Sequence, residues 1–499
     1  MQDGLFLSHV LKYICPANNI YLYIRQTLLM LRKCHRLHDS ITFVIFILAR
    51  SVACCFSRGI HEGDRHTHTH ADRKKKKGRV WRGEREIGRA VFTIIIIIMA
   101  PSPKTRIRVG VIGAAKVLRE TWIAIHEAKH EITIVGCRDK LRGEKFVDEL
   151  NAFIPFAKKP LVEDYETVVA SSNVDVVYIP IPVTARHKWV LECAKHRKHV
   201  VCEKPTAVSS LVLQEWLRHF AAKRLLFVDG TMLSHGRRVQ DVRLALREIG
   251  KLRRMEAHFA FLASEEFLQS DIRLNPAQEP MGALGDVGWY CVRYFLHMVE
   301  FVLPDAVMGR VAQCSGPKNG ISAFSGELLF TVEGEPVVAT FFCTYHAAYE
   351  QLVRIKGDDG IITVYGAIKP TDEDAPTFSI ERNSFEGSEG TLSFHRNVEK
   401  RRCDEDYTFQ MVQLWRDVGL ALMRIDPEEP LVVVPEKSEQ WARMAFTTQY
   451  VCDKLMESAR KSAELASSLS LVDNNNGNNT GRKETAPTQT PAASEEVHA

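Results

Sequence analysis

The 499-residue sequence lacks several patterns that would point to a metal or disulfide protein. Its twelve cysteines include no Cys-x-x-Cys pair, and their spacing matches no zinc-binding module. Such cysteines are typically reduced and buried, which favours the cytosol over an oxidising compartment. The sequence also shows no cluster of metal-ligating residues, so we expect a protein that works without a metal ion.

Long apolar runs are missing as well. The stretch from Ile41 to Phe56 has 16 residues and is interrupted by Arg50, whereas a membrane-spanning helix needs about 20 apolar residues. The run from Ile94 to Ile98 is shorter still. The N-terminus also lacks the order of charge, apolar run and cleavage site that a signal peptide has. The sequence therefore predicts a cytoplasmic protein, with membrane association through residues 41–98 as the alternative.

A basic excess is absent from most of the chain. Residues 1–98 hold 17 Lys and Arg against 7 Asp and Glu, which leaves 49 basic and 54 acidic residues for the remainder. Nucleic-acid binding requires concentrated positive charge. The body of the chain is therefore not expected to bind nucleic acid.

The two ends of the chain differ in composition from its body. Residues 1–98 contain alternating His and Thr at 66–70 and four lysines at 74–77, and we interpret them as a low-complexity leader without a packed core. Met99 lies just before the first predicted strand, so our hypothesis is that the working protein starts there. The intact mass of the native protein decides this. At the other end, residues 461–499 are predicted to be a disordered tail.

The first half of the body has the pattern of a nucleotide-binding domain. A strand that begins at Ile107 leads into a turn from Gly113 to Leu118 and then into a helix that reaches about Ala128. A glycine at position 113 permits a sharp turn, a small residue at Ala115 lets a pyrophosphate approach, and the helix start offers free N–H groups. Alanine and leucine replace the second and third glycines of the usual motif.

Further strands and helices alternate up to residue 230. Such alternation predicts a doubly wound parallel sheet over residues 99–230. The predicted strands are Ile132–Cys137, Val174–Ile179, His199–Glu203 and Leu225–Val228, and the predicted helices between them are Ala185–His196 and Val208–Ala222.

Residues 231–460 are predicted to form an α+β domain with an open, mostly antiparallel sheet. Two helices, near 407–423 and 438–460, are expected to pack back on the body. The predicted strands are Met255–Ser264, Val307–Cys314, Gly326–Val332, Val337–Tyr345, Leu352–Lys356 and Ile361–Val364.

Three short motifs carry a family resemblance. Glu203-Lys204-Pro205 follows a strand, Ile181-Pro182 with His187 follows the preceding strand, and Gly285-Asp286-Val287-Gly288-Trp289-Tyr290 lies in the second half. Together they resemble the Gfo/Idh/MocA oxidoreductases over roughly residues 106–457. The runs Gly113–Arg119 and Asp229–Met232 are similar to the plant and dihydrodiol-dehydrogenase-like branch.

The resemblance implies an enzyme that transfers hydride between NADP(H) and the CH–OH or C=O group of a sugar, cyclitol or trans-dihydrodiol. It also implies a homodimer that forms through the second-half sheet. The residues that it assigns to the cofactor are Gly113, Ala115, Lys116, Val117, Arg138, Pro182, His187, Glu203 and Lys204.

Lys204, Asp286 and Tyr290 are the predicted catalytic residues. Lys204 follows a central strand, where such sheets bind ligands. A nearby ammonium would lower the pKa of Tyr290 toward neutrality, so that the two share the proton transfer. Asp286 could instead cap a helix and Tyr290 could be core packing. Whether lysine or tyrosine is the terminal acid or base stays open.

Arg138, at the end of the second strand, favours NADP(H) over NAD(H). An acidic residue there would bind the ribose 2′-hydroxyl, whereas an arginine can pair with a 2′-phosphate. Asp139 leaves an alternative, since its carboxylate would reach the ribose if the strand ended one residue later.

Two other classes of protein fit parts of the sequence. One is a cofactor-sensing regulator of the same fold with little turnover, which the retention of Lys204, Asp286 and Tyr290 argues against. The other is a membrane-tethered scaffold that uses the leader. The side chains that select a substrate cannot be identified from these motifs.

Overall fold

A computed structural model describes residues 106–370, 376–388, 391–403, 407–423 and 431–477. All of them belong to one compact unit. The predicted leader at 1–98, the predicted start at Met99 and residues 478–499 of the predicted tail lie outside the described residues.

The first half forms a six-stranded parallel sheet with helices between its strands, which confirms the predicted doubly wound fold. Central strands are buried on both faces, as their continuous apolar sequences require. The strands are β1 (Arg108–Ile112), β2 (Glu131–Gly136), β3 (Leu161–Glu163), β4 (Val176–Ile179), β5 (His199–Cys202) and β6 (Phe227–Asp229). The helices are α1 (Leu118–Glu127), α2 (Lys140–Phe153), α3 (Tyr165–Ala170), α4 (Arg186–Lys195) and α5 (Ser210–Ala222).

The strand order is β3-β2-β1-β4-β5-β6, so β1 has β2 on one side and β4 on the other. The chain changes direction across the sheet at this point. Ligands of open parallel sheets bind at such a switch point, beyond the carboxyl ends of the strands. The fold therefore places the turn after β1 and the loop after β4 on the two sides of one crevice.

The second half forms an eight-stranded sheet in the order β14-β13-β12-β11-β7-β10-β9-β8. All neighbouring strands are antiparallel except β7 and β10, which are parallel. The predicted mostly antiparallel sheet is thus confirmed. The strands are β7 (Leu252–Leu262), β8 (Ala306–Ser315), β9 (Gly320–Val332), β10 (Glu335–Thr344), β11 (His346–Gly357), β12 (Ile361–Tyr365), β13 (Thr377–Ser388) and β14 (Thr391–Arg402).

The α-helices of the second half are α6 (Arg237–Ala245), α7 (Glu265–Ser270), α8 (Trp289–Met298), α9 (Tyr407–Ala421) and α10 (Pro435–Gly477). Helix α8 contacts β7 and β10, and α10 contacts β8. The short strands β15 (Leu422–Met423) and β16 (Val432–Val433) lie between α9 and α10 in the chain and pair with each other. As predicted, the last two helices pack back on the body: α9 lies against α1, and α10 lies against β6, α5 and β8. Helix α10 extends to Gly477, past the predicted boundary at residue 460.

A buried ion pair fastens the two halves to each other. The guanidinium of Arg293 on α8 is 1% exposed, and its Nη2 lies 2.5 Å from Oδ2 of Asp229 at the end of β6. Its other nitrogens donate to Ser234 Oγ at 3.0 Å and to Thr448 Oγ1, on α10, at 2.7 Å. Protein atoms therefore bind each of the three nitrogens of this buried guanidinium.

Replacing Arg293 with methionine should lower the free energy of unfolding by about 3–5 kcal/mol, because the Asp229 carboxylate would stay buried without its partner. Urea unfolding of the full chain measures this. Lys188→Met is the matched control: the Lys188–Glu166 pair is 3.1 Å long but about two-thirds exposed, so its loss should cost about 1 kcal/mol or less. Equal losses in the two variants would contradict the anchoring role of Arg293.

Candidate active site

A cleft of about 720 Å³ opens at the switch point of the parallel sheet. One wall consists of the turns that follow β1, β2, β4 and β5, and the other is the segment from Ser270 to Asp286 of the second half. The residues that line it are Gly113, Ala114, Ala115, Lys116, Val117, Cys137, Arg138, Asp139, Arg142, Tyr165, Pro180, Ile181, Pro182, Arg186, Glu203, Lys204, Pro205, Ser270, Asp271, Ile272, Arg273, Gln278, Glu279, Gly282 and Asp286.

The turn after β1 has the shape that a phosphate group needs. Gly113 has a φ of +109°, and a Cβ atom there would lie 2.5 Å from Ile181 Cγ2, so a side chain is excluded by both conformation and space. The chain then turns through Ala115, whose carbonyl accepts from the Leu118 N–H at 3.0 Å. Helix α1 starts at Leu118, so the positive end of its dipole lies beside this turn.

Two arginines stand at the end of the cleft beyond β2. Arg138 and Arg142 are both exposed and line the cleft. Between them, Asp139 caps helix α2: its Oδ1 accepts from the Arg142 N–H at 3.1 Å. That bond engages one oxygen of the carboxylate that was the alternative ribose ligand.

At the other end, Lys204 forms an ion pair with Asp286. Lys204 lies two residues beyond β5, and its Nζ is 2.7 Å from Asp286 Oδ1 and 2.9 Å from the Asp286 carbonyl oxygen. The two side chains are only 12% and 11% exposed. The pair joins the first half to the second at the floor of the cleft.

Arg186 fixes the loops that carry this lysine. Its guanidinium is 2% exposed and donates to the carbonyls of Ile181 at 2.7 Å and Thr206 at 3.3 Å, and also to those of Glu203 and Pro205. One buried side chain thereby links the loop after β4 to the backbone on both sides of Lys204. A planar guanidinium with five donors suits such a role.

Asp286 lies within a π-helical turn, Leu284–Gly288, at the start of α8. The absence of a side chain at Gly285 lets this turn approach Pro205, since a Cβ there would lie 3.1 Å from Pro205 Cγ. The second carboxylate oxygen, Oδ2, is 2.9 Å from Arg273 Nε and accepts from the Tyr345 hydroxyl at 3.2 Å. Three side chains from separate elements therefore hold one carboxylate.

These contacts decide the charge of Asp286. Burial acts to raise its pKa, but the positive charges of Arg273 and Lys204 and their hydrogen bonds outweigh it and hold that pKa well below the ordinary value. The same carboxylate raises the pKa of Arg273. Asp286 is thus an ionised acceptor and not a proton donor at neutral pH.

Glu203 binds the backbone at Lys204. Its Oε1 accepts from the Tyr178 hydroxyl at 2.7 Å, and its Oε2 accepts from the backbone N–H of Lys204 at 3.1 Å. Burial raises the pKa of Glu203 above its ordinary value, although these hydrogen bonds and the nearby charges of Lys204 and Arg186 oppose the shift. Glu203 therefore orients the backbone that presents Lys204.

Comparison with known proteins identifies both halves of this arrangement. Residues 107–229 match the model of an oxidoreductase family with an NAD-binding Rossmann fold, and residues 240–363 match the Gfo/Idh/MocA C-terminal domain. The chain belongs to the Gfo/Idh/MocA oxidoreductase family. The family resemblance drawn from the three motifs is confirmed, and the protein is an NAD(P)-binding oxidoreductase.

Relatives of this oxidoreductase act on sugars and diols. A dTDP-3,4-didehydro-2,6-dideoxy-α-D-glucose 3-reductase of Streptomyces antibioticus is 26% identical, with 56% of this chain and 82% of the relative covered. The NADP(+) D-xylose 1-dehydrogenase 2 of Haloferax volcanii is 25% identical, over 58% and 86%. Mouse trans-1,2-dihydrobenzene-1,2-diol dehydrogenase is 23% identical, over 53% and 77%.

The fold of this oxidoreductase also matches solved structures. A 3-ketoreductase from Actinomadura kijaniata, solved with NADP and TDP-benzene, superimposes with a TM-score of 0.55 and 22% identity, covering 71% of this chain and 98% of the other. At that identity the likeness establishes the fold alone.

The structure brings eight of the nine predicted cofactor residues of this Gfo/Idh/MocA protein to the cleft, together with Lys204 and Asp286 of the predicted catalytic set. His187 is the exception. It is exposed on α4, and its Nδ1 accepts from the indole N–H of Trp216 at 3.0 Å. The neighbouring Arg186 takes the place in the cleft that His187 was expected to occupy.

The predicted pairing of a Tyr290 phenolate with Lys204 does not occur. The Tyr290 hydroxyl points away from the cleft and donates to the sulfur of Met232 at 3.6 Å, while the ring lies 4.9 Å from Lys204 Nζ. Burial, together with the negative charges of Glu203 and Asp286, raises the pKa of Tyr290 well above its ordinary value. The expected lowering of that pKa is therefore corrected.

Sequence reasoning missed Arg186, Arg273, Glu279 and Tyr345. Arg273 and Glu279 lie in an irregular segment whose course has no sequence signal. Tyr345 directly follows β10, where the alternation of apolar residues predicted a strand but no site residue. Arg186 is adjacent in sequence to His187, which was predicted to bind the cofactor in its place. Within the described ranges, no group of three or more His, Cys, Asp or Glu side chains is arranged to hold a metal ion, and no helix has the length and apolar character to cross a membrane.

Proposed function

We propose that the protein is an NADP(H)-dependent dehydrogenase or reductase that acts on the CH–OH or C=O group of a sugar, cyclitol or trans-dihydrodiol. The observation that carries the proposal is the Lys204–Asp286 pair at the floor of the dinucleotide cleft. Relatives named as NADP(+) dehydrogenases of D-xylose and scyllo-inositol, and as a trans-dihydrodiol dehydrogenase, support the substrate classes.

The residues of the cleft fit a phosphorylated dinucleotide. Gly113 and the turn before α1 would hold the pyrophosphate, because a Cβ at 113 is excluded, the turn lines the cleft, and the positive end of the helix dipole favours an anion there. Arg138 and Arg142 would hold a ribose 2′-phosphate, with the Asp139 carboxylate engaged as a helix cap. The nicotinamide, when bound, supplies or accepts the hydride.

Lys204 is the proposed proton donor and acceptor for the substrate oxygen. Its ammonium is nearly buried and lines the cleft, and Asp286 and the Tyr290 ring hold it in place. A positive group close to the substrate oxygen stabilises the negative charge that develops there as hydride transfers. Asp286 acts through Lys204, since Arg273 and Tyr345 already occupy its second oxygen.

The paired Lys204 and Asp286 favour an enzyme over the regulator alternative. A protein that only senses its cofactor needs the phosphate turn and the arginines but gains nothing from an ammonium held at the substrate end. Turnover of any sugar or diol at the nicotinamide absorbance would separate the two functions.

We also propose a cytoplasmic homodimer. Seven of the eight cysteines that the structure describes are buried, which suits a reducing compartment. The outer face of the second sheet carries exposed apolar side chains, among them Met308, Leu329 and Phe342. A monomer mass by light scattering would contradict the dimer, and recovery in a membrane fraction would contradict the compartment.

Replacing Arg138 with alanine should weaken NADPH binding by about 10-fold or more and leave NADH binding within about 3-fold, because a charge-assisted hydrogen bond of about 1.5–3 kcal/mol is lost only with the 2′-phosphate. Fluorescence titration of both cofactors measures this. Arg218→Ala serves as the control, because it removes an exposed arginine that donates to Gln214 Oε1 on the same helix at 2.8 Å. An unchanged cofactor preference in Arg138→Ala would show that Arg138 is not the selector.

Replacing Lys204 with methionine should lower kcat by at least about 10²-fold and keep the Kd for NADPH within a few-fold, because a proton-transfer group is lost while the phosphate contacts remain. Tyr290→Phe should keep kcat within about 3-fold, since its hydroxyl faces Met232. Steady-state kinetics on a confirmed substrate measure both, with Lys188→Met as the control. Wild-type turnover by Lys204→Met would overturn the assignment.

A further inference from the structure

The segment from Asn275 to Gly282, here called the bridging segment, belongs to the second half of the chain and contacts the first half across the cleft. Its carbonyls at Ala277 and Gln278 accept from the side chain and backbone N–H of Thr184, at 3.0 and 3.4 Å. Thr184 lies in the loop after β4. The bridging segment therefore closes one side of the cleft at the level of Lys204.

The course of the bridging segment is fixed at both of its ends. The carbonyl of Asn275 accepts from the N–H groups of Gln278 and Glu279, each at 2.9 Å. At the other end, Gly282 has a φ of +48°, and a Cβ there would lie 2.3 Å from the carbonyl oxygen of Ile321 on β9. A side chain projecting from the middle of the segment consequently has a defined position.

Glu279 is that side chain. It is 8% exposed and lines the cleft, and its Oε1 accepts from the backbone N–H of Val183 at 2.9 Å. Among the residues that the structure describes, none donates to its second oxygen, Oε2. Burial raises the pKa of Glu279 above its ordinary value, although the charges of Arg186 and Lys204 oppose the shift. Oε2 faces the space of the cleft, where a carboxyl oxygen can accept a hydrogen bond from a ligand.

The charges around Glu279 restrict what that ligand is. The substrate end of the cleft is lined by the cations Arg186, Lys204 and Arg273 and by the carboxyl groups of Glu203, Asp271, Glu279 and Asp286. All three cations are already engaged: Lys204 pairs with Asp286, Arg273 pairs with Asp271 and Asp286, and Arg186 donates to backbone carbonyls. A phosphate in this space would meet carboxylates without a free cation to offset them, whereas a hydroxyl group would find an acceptor.

We propose that Glu279 Oε2 accepts a hydrogen bond from a substrate hydroxyl group and makes the cleft select uncharged polyhydroxy compounds over phosphate esters and nucleotide-linked sugars. The inference rests on the proposed function, because it assigns the substrate class of the same site. It separates this protein from its sugar-nucleotide reductase relatives and groups it with those named for free sugars and cyclitols.

The test compares wild type with Glu279→Gln on an uncharged polyol and on the phosphate ester of the same polyol, with NADP(H) saturating. A glutamine can still accept from the Val183 N–H but carries no charge. We expect wild type to turn over the uncharged polyol with a kcat/KM at least about 10-fold above that for the ester. In Glu279→Gln, KM for the polyol should rise about 10-fold and the preference over the ester should fall by a similar factor.

Glu166→Gln is the matched control, since Glu166 is exposed and pairs with Lys188 away from the cleft. The inference alone is overturned if Glu279→Gln keeps the wild-type KM and preference, or if wild type favours the phosphate ester or a dTDP-linked hexose. The second outcome is measured on wild type alone, so it does not depend on whether the variant folds. Tight NADPH binding without turnover of any hydroxyl or carbonyl compound overturns the proposed function, and the inference falls with it.

Discussion

The ion pair between Lys204 and Asp286 is the contact on which the rest of the site depends. It joins a loop at the end of a parallel strand to a helical turn of the second half, with both side chains about nine-tenths buried. A buried pair is stable only when its remaining donors and acceptors are satisfied. Arg273 and Tyr345 do this for the carboxylate, and Arg186 and Glu203 hold the backbone around the lysine.

This arrangement gives one cleft two electrostatic ends. At the dinucleotide end, Arg138 and Arg142 are exposed and available to an anionic ligand. At the other end, Lys204 and Arg273 are paired with carboxylates and Arg186 donates to backbone carbonyls, so the chemistry there depends on a positioned ammonium and not on net positive charge. The separation is a consequence of the fold, because the arginines follow β2, on one side of the switch point, while the lysine follows β5, on the other side.

The sequence predicted the parallel sheet and most of the cleft, because buried parallel strands have continuous apolar sequences and their ends share one edge. The sequence did not predict the direction in which individual side chains point. Arg186 and His187 are neighbours on a helix and so point about 100° apart, and only the arginine reaches the cleft. Tyr290, four residues after Asp286, would share its face in a regular α-helix. The π-helical turn at Leu284–Gly288 changes that phase and turns the hydroxyl toward Met232. The short strand β3 and the largely polar hairpin β13–β14 gave no apolar pattern to detect.

The most direct test of the account is a double-mutant cycle on kcat with Lys204→Met, Asp286→Asn and the double variant, measured on a substrate that wild type turns over. If Asp286 acts only by holding Lys204, each single variant is slow and the double variant is no slower than Lys204→Met alone. Two losses that multiply in the double variant would mean that the two residues act independently, and the ion pair would not be the centre of the site.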